Sequence, residues 1–174
     1  MWAKHKQQSG FTIVELLIVI VIIGILAAIT IVAYNGIQDR ARNTKIKNDL
    51  AQIQKAISVS RINKDTYLMG VYANGAPESG CLGKAAGTDL ATLSRTTDSC
   101  WTNYDAFLNA VSTASEMNIR GLVDPWGRPY YVNPNESENQ TTHLCMNDQI
   151  GTYNQPFTPG TTNVTLIPLY KASC

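Results

Sequence analysis

The hydrophobic pattern divides the chain into three stretches. Residues 1–10, MWAKHKQQSG, are polar and carry Lys4, His5 and Lys6. Residues 11–33, FTIVELLIVIVIIGILAAITIVA, follow without a single Asp, Lys, Arg, Asn or Gln. As a helix this run spans about 35 Å, enough to cross a hydrocarbon core of about 30 Å. A secretory signal has an apolar region of only about 7–15 residues ending at a cleavage site. This run is longer, and a helical pattern follows it directly, so a membrane span is predicted. Beyond it Gly36 is the sole breaker before about residue 63. Ile46, Leu50, Ile53 and Ile57, with Ile62 a little further on, mark one apolar stripe at helical spacing. Arg40, Arg42, Lys45, Lys47, Asp49, Lys55 and Arg61 fall on the opposite faces and are expected to be solvated. One helix over residues 11–64 would be about 80 Å long. Its first part (11–33) is apolar all round, and its continuation (34–64) is amphipathic and needs a surface to pack on.

Residues 65–174 read as a small globular part. A Gly-rich loop covers 70–87, and a short helix is predicted at 89–93. A longer helix over 103–117 would turn Phe107, Leu108 and Val111 inward. Asp124-Pro125-Trp126-Gly127 has the residues of a tight turn, with Asp at the first position, Pro at the second and Gly at the last. Strands are predicted at 128–133, 141–146 and 164–170, the last held to an edge or bulge by Pro168. The fold class is therefore α+β, a long N-terminal helix packed on a small antiparallel sheet.

Composition adds three constraints. A chain of 174 residues fits one modest domain plus an appendage. A net charge of +1 argues against a strongly basic nucleic-acid binder. Charge nevertheless changes sign along the chain: residues 39–64 hold seven bases and two acids, and residues 65–174 hold ten acids and five bases. The basic run offers contacts to lipid or DNA phosphates, although a solvated helix face is the plainer expectation. The four cysteines, Cys81, Cys100, Cys145 and Cys174, all follow the apolar run and lack metal-ligand spacing. Their even count points to two disulfides in an oxidising space. Three pairings are open, and the two local ones, Cys81–Cys100 and Cys145–Cys174, are favoured. Each would contribute roughly 3–4 kcal/mol in the chain-entropy account. No nucleophile elbow, metal-ligand cluster or phosphate-cradling loop is present in the sequence, so no enzyme activity is expected.

Glu15 is the only ionisable residue in the apolar run. A carboxylate in that setting is costly and marks a functional candidate with a cationic partner. Cutting between Gly10 and Phe11 would create an amine four residues from Glu15. The two could meet within one helix or between two staggered ones. GFTIVELL at residues 10–17, behind a short basic leader and before IGILAAI at 23–29, resembles the class III prepilin signal of type IV pilins and type II secretion pseudopilins. The resemblance covers about residues 4–60 and implies a pilin-like fold; no cofactor is expected apart from a weak candidate for calcium. It implies that a prepilin peptidase removes residues 1–10 on the cytoplasmic side and methylates the amine of Phe11. It further implies that Glu15 pairs with the Phe11 amine of a neighbouring copy, setting the axial register of a helical polymer built at an inner-membrane platform. The Lys/Arg count around the span, Lys4 and Lys6 before it and Arg40, Arg42, Lys45 and Lys47 after it, would alone favour the opposite orientation. The leader pattern takes precedence. Many such chains carry proline where this one has Val32.

The stretch DPWGRPYY (124–131) also resembles a turn-to-strand signature of major pseudopilins and several pilins. In pseudopilins a calcium site follows in a later loop. Here Asn133, Asn135, Glu136, Glu138 and Asn139 supply oxygen atoms, but their spacing fits no fixed calcium loop, and a plain polar loop is the simpler expectation. A disulfide at the chain end is likewise common among pilins. The leading expectation is a type IV pilus-like subunit, serving adhesion, twitching motility or DNA uptake. A periplasmic pseudopilin of type II secretion is the first alternative, and an anchored adhesin that never polymerises is the second.

Overall fold

The computed structural model describes residues 10–135, 146–160 and 162–170, with the side chains of 32–35 left aside. One helix, α1 (Ile13–Lys64), opens the fold. Glu15 lies in its first turn and Arg61 and Lys64 in its last, the arrangement that complements the helix dipole. The helix stops in a Schellman-type closure. Asp65 takes a left-handed conformation (φ 45°), its N–H donates to Ile62 O, and the Thr66 N–H donates to Arg61 O at 3.1 Å.

By contacts the chain forms two compact units, residues 1–43 and 44–174. The described part of the first is a helical segment with no internal core. From Phe11, 88% exposed, to Ile31 every described side chain faces outward. Its segment is long and apolar enough to cross a membrane.

The second unit has the buried core. Ile53, Ala56 and Ile57 of α1 are fully buried among Leu68, Trp101, Phe107, Val111, Val132, Ile150 and Ile167, with Ile46 and Leu50 packed at the margin. The stripe therefore packs as its spacing predicts as far as Ile57. Ile62 is 68% exposed, because a five-residue step carries it off the apolar face.

Two polar residues expected in solvent are buried instead. Arg61 and Asp148 form an ion pair at 2% and 0% side-chain exposure, and Arg61 Nη1 also donates to Pro168 O at 2.9 Å. Asp49 accepts from Lys45 Nζ at 2.5 Å and from the Tyr130 hydroxyl at 2.7 Å. The partners lie 87 and 81 residues away from Arg61 and Asp49, out of reach of a local pattern.

Short helices α2 (Leu68–Val71) and α3 (Ser79–Leu82) interrupt the predicted loop at 70–87, and a 3-10 turn (Leu90–Thr92) occupies the predicted helix at 89–93. Helix α4 (Ser99–Ser115) begins four residues before its predicted start. Asp98 caps it, its carboxylate accepting from Cys100 N at 2.9 Å. It ends two residues early because Glu116 turns left-handed.

Three antiparallel strands, β1 (Tyr131–Asn133), β2 (Gln149–Tyr153) and β3 (Thr162–Leu166), form a sheet in that order. Register runs through Tyr131 opposite Gly151 and Gly151 opposite Val164. Strand β1 is shorter than predicted, and β3 starts two residues earlier and ends before Pro168. Of the predicted strand at 141–146, residues 141–145 lie outside the described residues, and Met146 is not in a strand. The α+β class holds: a long N-terminal helix packed on a small antiparallel sheet.

Candidate functional site

The first candidate is the start of α1. Thr12 N–H and Thr12 Oγ1 both donate to Glu15 Oε2 at 2.8 Å, while Glu15 N–H donates back to Thr12 Oγ1 at 3.2 Å. This is a reciprocal capping box, Thr-x-x-Glu, satisfying helix donors that would otherwise be bare. Its effect on Glu15 is as relevant as its effect on the helix. One carboxylate oxygen takes two donors from its own chain, and Oε1 has no partner among the described residues. The carboxylate is thus fixed at the helix mouth with one oxygen open to an incoming cation. Gly10 and Phe11 precede the helix and are exposed. Sequence reading singled out Glu15 but gave Thr12 no role, and the Thr-x-x-Glu spacing would have supplied one. Further along, Thr30 Oγ1 donates to both Leu26 O and Ala27 O at 2.9 Å, so the one hydroxyl deep in the apolar run is satisfied within its own helix.

The second candidate is the 124–128 turn. Gly127 N–H donates to Asp124 O at 3.0 Å, and Asp124 N–H to Arg128 O at 2.9 Å. Gly127 has φ 80°, where a side chain would be strained. Asp124 Oδ1 accepts from Trp126 N and Arg128 N, and Oδ2 from Arg128 Nε at 2.7 Å. One buried carboxylate therefore holds the whole turn. Lys45 Nζ also donates to Val123 O just before it. This is the tight turn that the DPWG residues predict.

Among the cysteines, Cys81 and Cys100 form a disulfide joining α3 to the first turn of α4, with an S–S distance of 2.02 Å. It sits over a small second core of Leu90, Tyr131, Tyr153 and Phe157. Cys145 and Cys174 lie outside the described residues. So do the calcium candidates Glu136, Glu138 and Asn139. Asn135 is buried, its Nδ2 donating to Asn147 O at 3.1 Å, and Asn133 Nδ2 donates to the Tyr131 hydroxyl at 3.1 Å. Among the described residues no group of three His, Cys, Asp or Glu could hold a metal.

Burial pushes the pKa of three tyrosines in the second unit above the ordinary phenol value. These are Tyr104, Tyr153 and Tyr130, the last also hydrogen-bonded to Asp49. The Asp98 carboxyl is lowered, first by the hydrogen bond from Lys84 and then by the Cys100 N–H. These are features of a packed core and a helix cap.

A membrane-length helix with a fixed acid at its mouth, continued by an α+β unit, defines a class that comparison with known proteins resolves. A family profile described as "Prokaryotic N-terminal methylation motif" matches residues 5–31, which include Gly10, Phe11 and Glu15. The chain is 30% identical over 135 residues to "Type II secretion system core protein G" of Pseudomonas aeruginosa, covering 75% of this chain and 78% of the relative. It is 32% identical over 156 residues to "Type IV major alpha-pilin" of Moraxella bovis, covering 68% of this chain and 98% of that pilin. It is 32% identical over 137 residues to the secretion core protein G of Aeromonas hydrophila, covering 74% and 75%. No solved structure matches. The chain belongs to the family of type IV pilins and type II secretion pseudopilins.

Proposed function

We propose that this chain is a structural filament subunit with no catalytic activity of its own. It is made as a membrane precursor whose leader (1–10) stays cytoplasmic. A prepilin peptidase cleaves between Gly10 and Phe11 and methylates the new amine. Residues 11–33 then leave the lipid and bundle with other copies at an assembly platform, and the head beyond residue 64 faces outward. The observation that carries this reading is the capped Glu15, one oxygen open, at the mouth of an exposed apolar helix. A buried charge is tolerated when a partner and further hydrogen bonds satisfy it. Here Thr12 supplies the hydrogen bonds and the Phe11 amine of the neighbouring copy supplies the charge. Because that pair forms only at one stagger, it fixes the register.

Within this reading the pilus is the leading form, serving adhesion, twitching motility or DNA uptake. The secretion pseudopilus stands beside it, favoured by the similarity to two secretion core G proteins and by the Asp124–Arg128 turn. Cys145 pairs with Cys174 on this account. In support, Asn147 Nδ2 donates to Ile167 O and Ile167 N–H donates to Asp148 O, which sets residues 147–148, just after Cys145, beside Ile167.

Glu15→Val is the test. Cleaved, folded, membrane-held protein with no filaments is expected, and normal filaments would refute the register mechanism. Deleting the chromosomal gene separates the two forms. Lost surface fibres mean a pilus, and lost protein secretion with fibres intact means a pseudopilus.

A further inference from the structure

Three loops of the second unit converge on an open cavity of about 400 Å³ lined by Asp89, Trp126, Arg128 and Gln155. Small-molecule sites occupy roughly 300–1,000 Å³, so the size suits one small ligand. The floor is a supported aromatic ring. The Trp126 backbone N–H donates to Asp124 Oδ1 at 2.9 Å, which fixes the residue in its turn, and the indole lies against the Arg128 guanidinium, 4.7 Å from carbon to ring centroid. Arg128 is itself buried and clamped by Asp124. Trp126 nevertheless remains 48% exposed. A large indole is thus half-exposed beside a buried, ion-paired guanidinium, whereas an indole that merely fills space is mostly buried.

The rim supplies hydrogen-bonding groups with spare capacity. Asp89 Oδ1 caps the 3-10 turn by accepting from Ala91 N at 3.0 Å, and Oδ2 has no partner among the described residues. The exposed side-chain amide of Gln155 has none there either. It offers both a donor and an acceptor. Charge narrows the ligand class. The Arg128 cation is already matched by Asp124, so Asp89 leaves the cluster with an excess negative charge that repels phosphates and carboxylates. The polar rim is a poor seat for an acyl chain. A neutral pyranose can engage the indole, the carboxylate and the amide together. Its C–H face packs on the negative face of the indole, and its hydroxyls donate to Asp89 and exchange hydrogen bonds with Gln155.

We propose that this cavity is a carbohydrate-binding site, with Trp126 as the stacking platform for an uncharged pyranose and Asp89 and Gln155 as its hydroxyl partners. The site needs only the folded second unit and holds for either form of filament. It is tested on the full-length protein in a detergent without sugar headgroups. Saturation-transfer NMR is run with methyl β-glucopyranoside, methyl β-galactopyranoside and methyl N-acetyl-β-glucosaminide, against acyclic sorbitol and a phosphorylated glucose. Transfer to the ring C–H protons of at least one methyl glycoside is expected, with none to sorbitol or the phosphorylated sugar. Trp126→Ala should weaken binding about tenfold or more. Asp89→Asn, which keeps the cap, and Gln155→Ala should each weaken it about three- to tenfold. Should Trp126→Ala fold poorly, the Asp89 and Gln155 variants carry the test. Silence from all three glycosides, equal transfer to sorbitol, preference for the phosphorylated sugar, or binding indifferent to the folded variants would each overturn the proposal.

Discussion

The two compact units spend their apolar residues in opposite ways. In the second, isoleucines of α1 at helical spacing vanish into a core shared with α4 and the sheet. In the first, the same residue type covers the helix all round and none of it is buried. Burial of a large aliphatic side chain contributes roughly 1.5–3 kcal/mol. The second unit therefore holds its stability within the chain, and the first obtains it from lipid or from other chains. Polar chemistry follows the same division. In the second unit Arg61 pairs with Asp148 and Arg128 with Asp124, whereas one oxygen of Glu15 has no partner among the described residues.

Breaking the internal pairs should produce the largest effects. Asp148→Ala strands a buried guanidinium and is expected to destabilise the second unit by about 3–5 kcal/mol. Chemical unfolding followed by tyrosine and tryptophan fluorescence would measure it. Replacing Cys81 and Cys100 by serine should cost roughly 3 kcal/mol by the same assay, because the bridge closes a loop of 19 residues. Leu17→Ala in the first unit should leave that unfolding curve unmoved, and a shift comparable to either would dissolve the distinction between the units.

Alkali should sharpen the contrast. Tyr104, Tyr130 and Tyr153 hold their protons more tightly folded than unfolded. Their contribution is complete below the unfolded phenol value of about 10 and is lost as pH climbs past it. The unfolding midpoint is therefore expected to fall above about pH 10, with the 295 nm phenolate absorbance of these residues appearing only on unfolding. The smallest effect lies at the helix mouth. Thr12→Val should loosen the first turn by about 1 kcal/mol, read as faster amide exchange at residues 13–16, and Thr12→Ser should restore it.

Strong local signals were legible in the sequence. An uninterrupted apolar run can only be a helix in lipid or a helix against other helices, and Asp-Pro-Trp-Gly carries its own turn geometry. Strand β2 was not. Gly151 reads as a loop residue, yet it is needed because a Cβ there would lie 1.9 Å from Asn163 O across the sheet. The buried partners of Arg61 and Asp49 were equally hidden, since a charge on the polar side of a helix looks solvated until the fold brings its partner across. At the functional end, Glu15 announced itself through its cost in lipid. Thr12 was ordinary until its hydroxyl and amide were found on the same carboxylate oxygen.

The central claim is that the first unit is completed by other chains once its leader is gone. Intact-mass spectrometry of the protein taken from filaments sheared off the cells that make it tests this most directly. The account predicts a chain beginning at Phe11 and bearing one N-methyl group. Filament-borne protein that still starts at Met1 would contradict it.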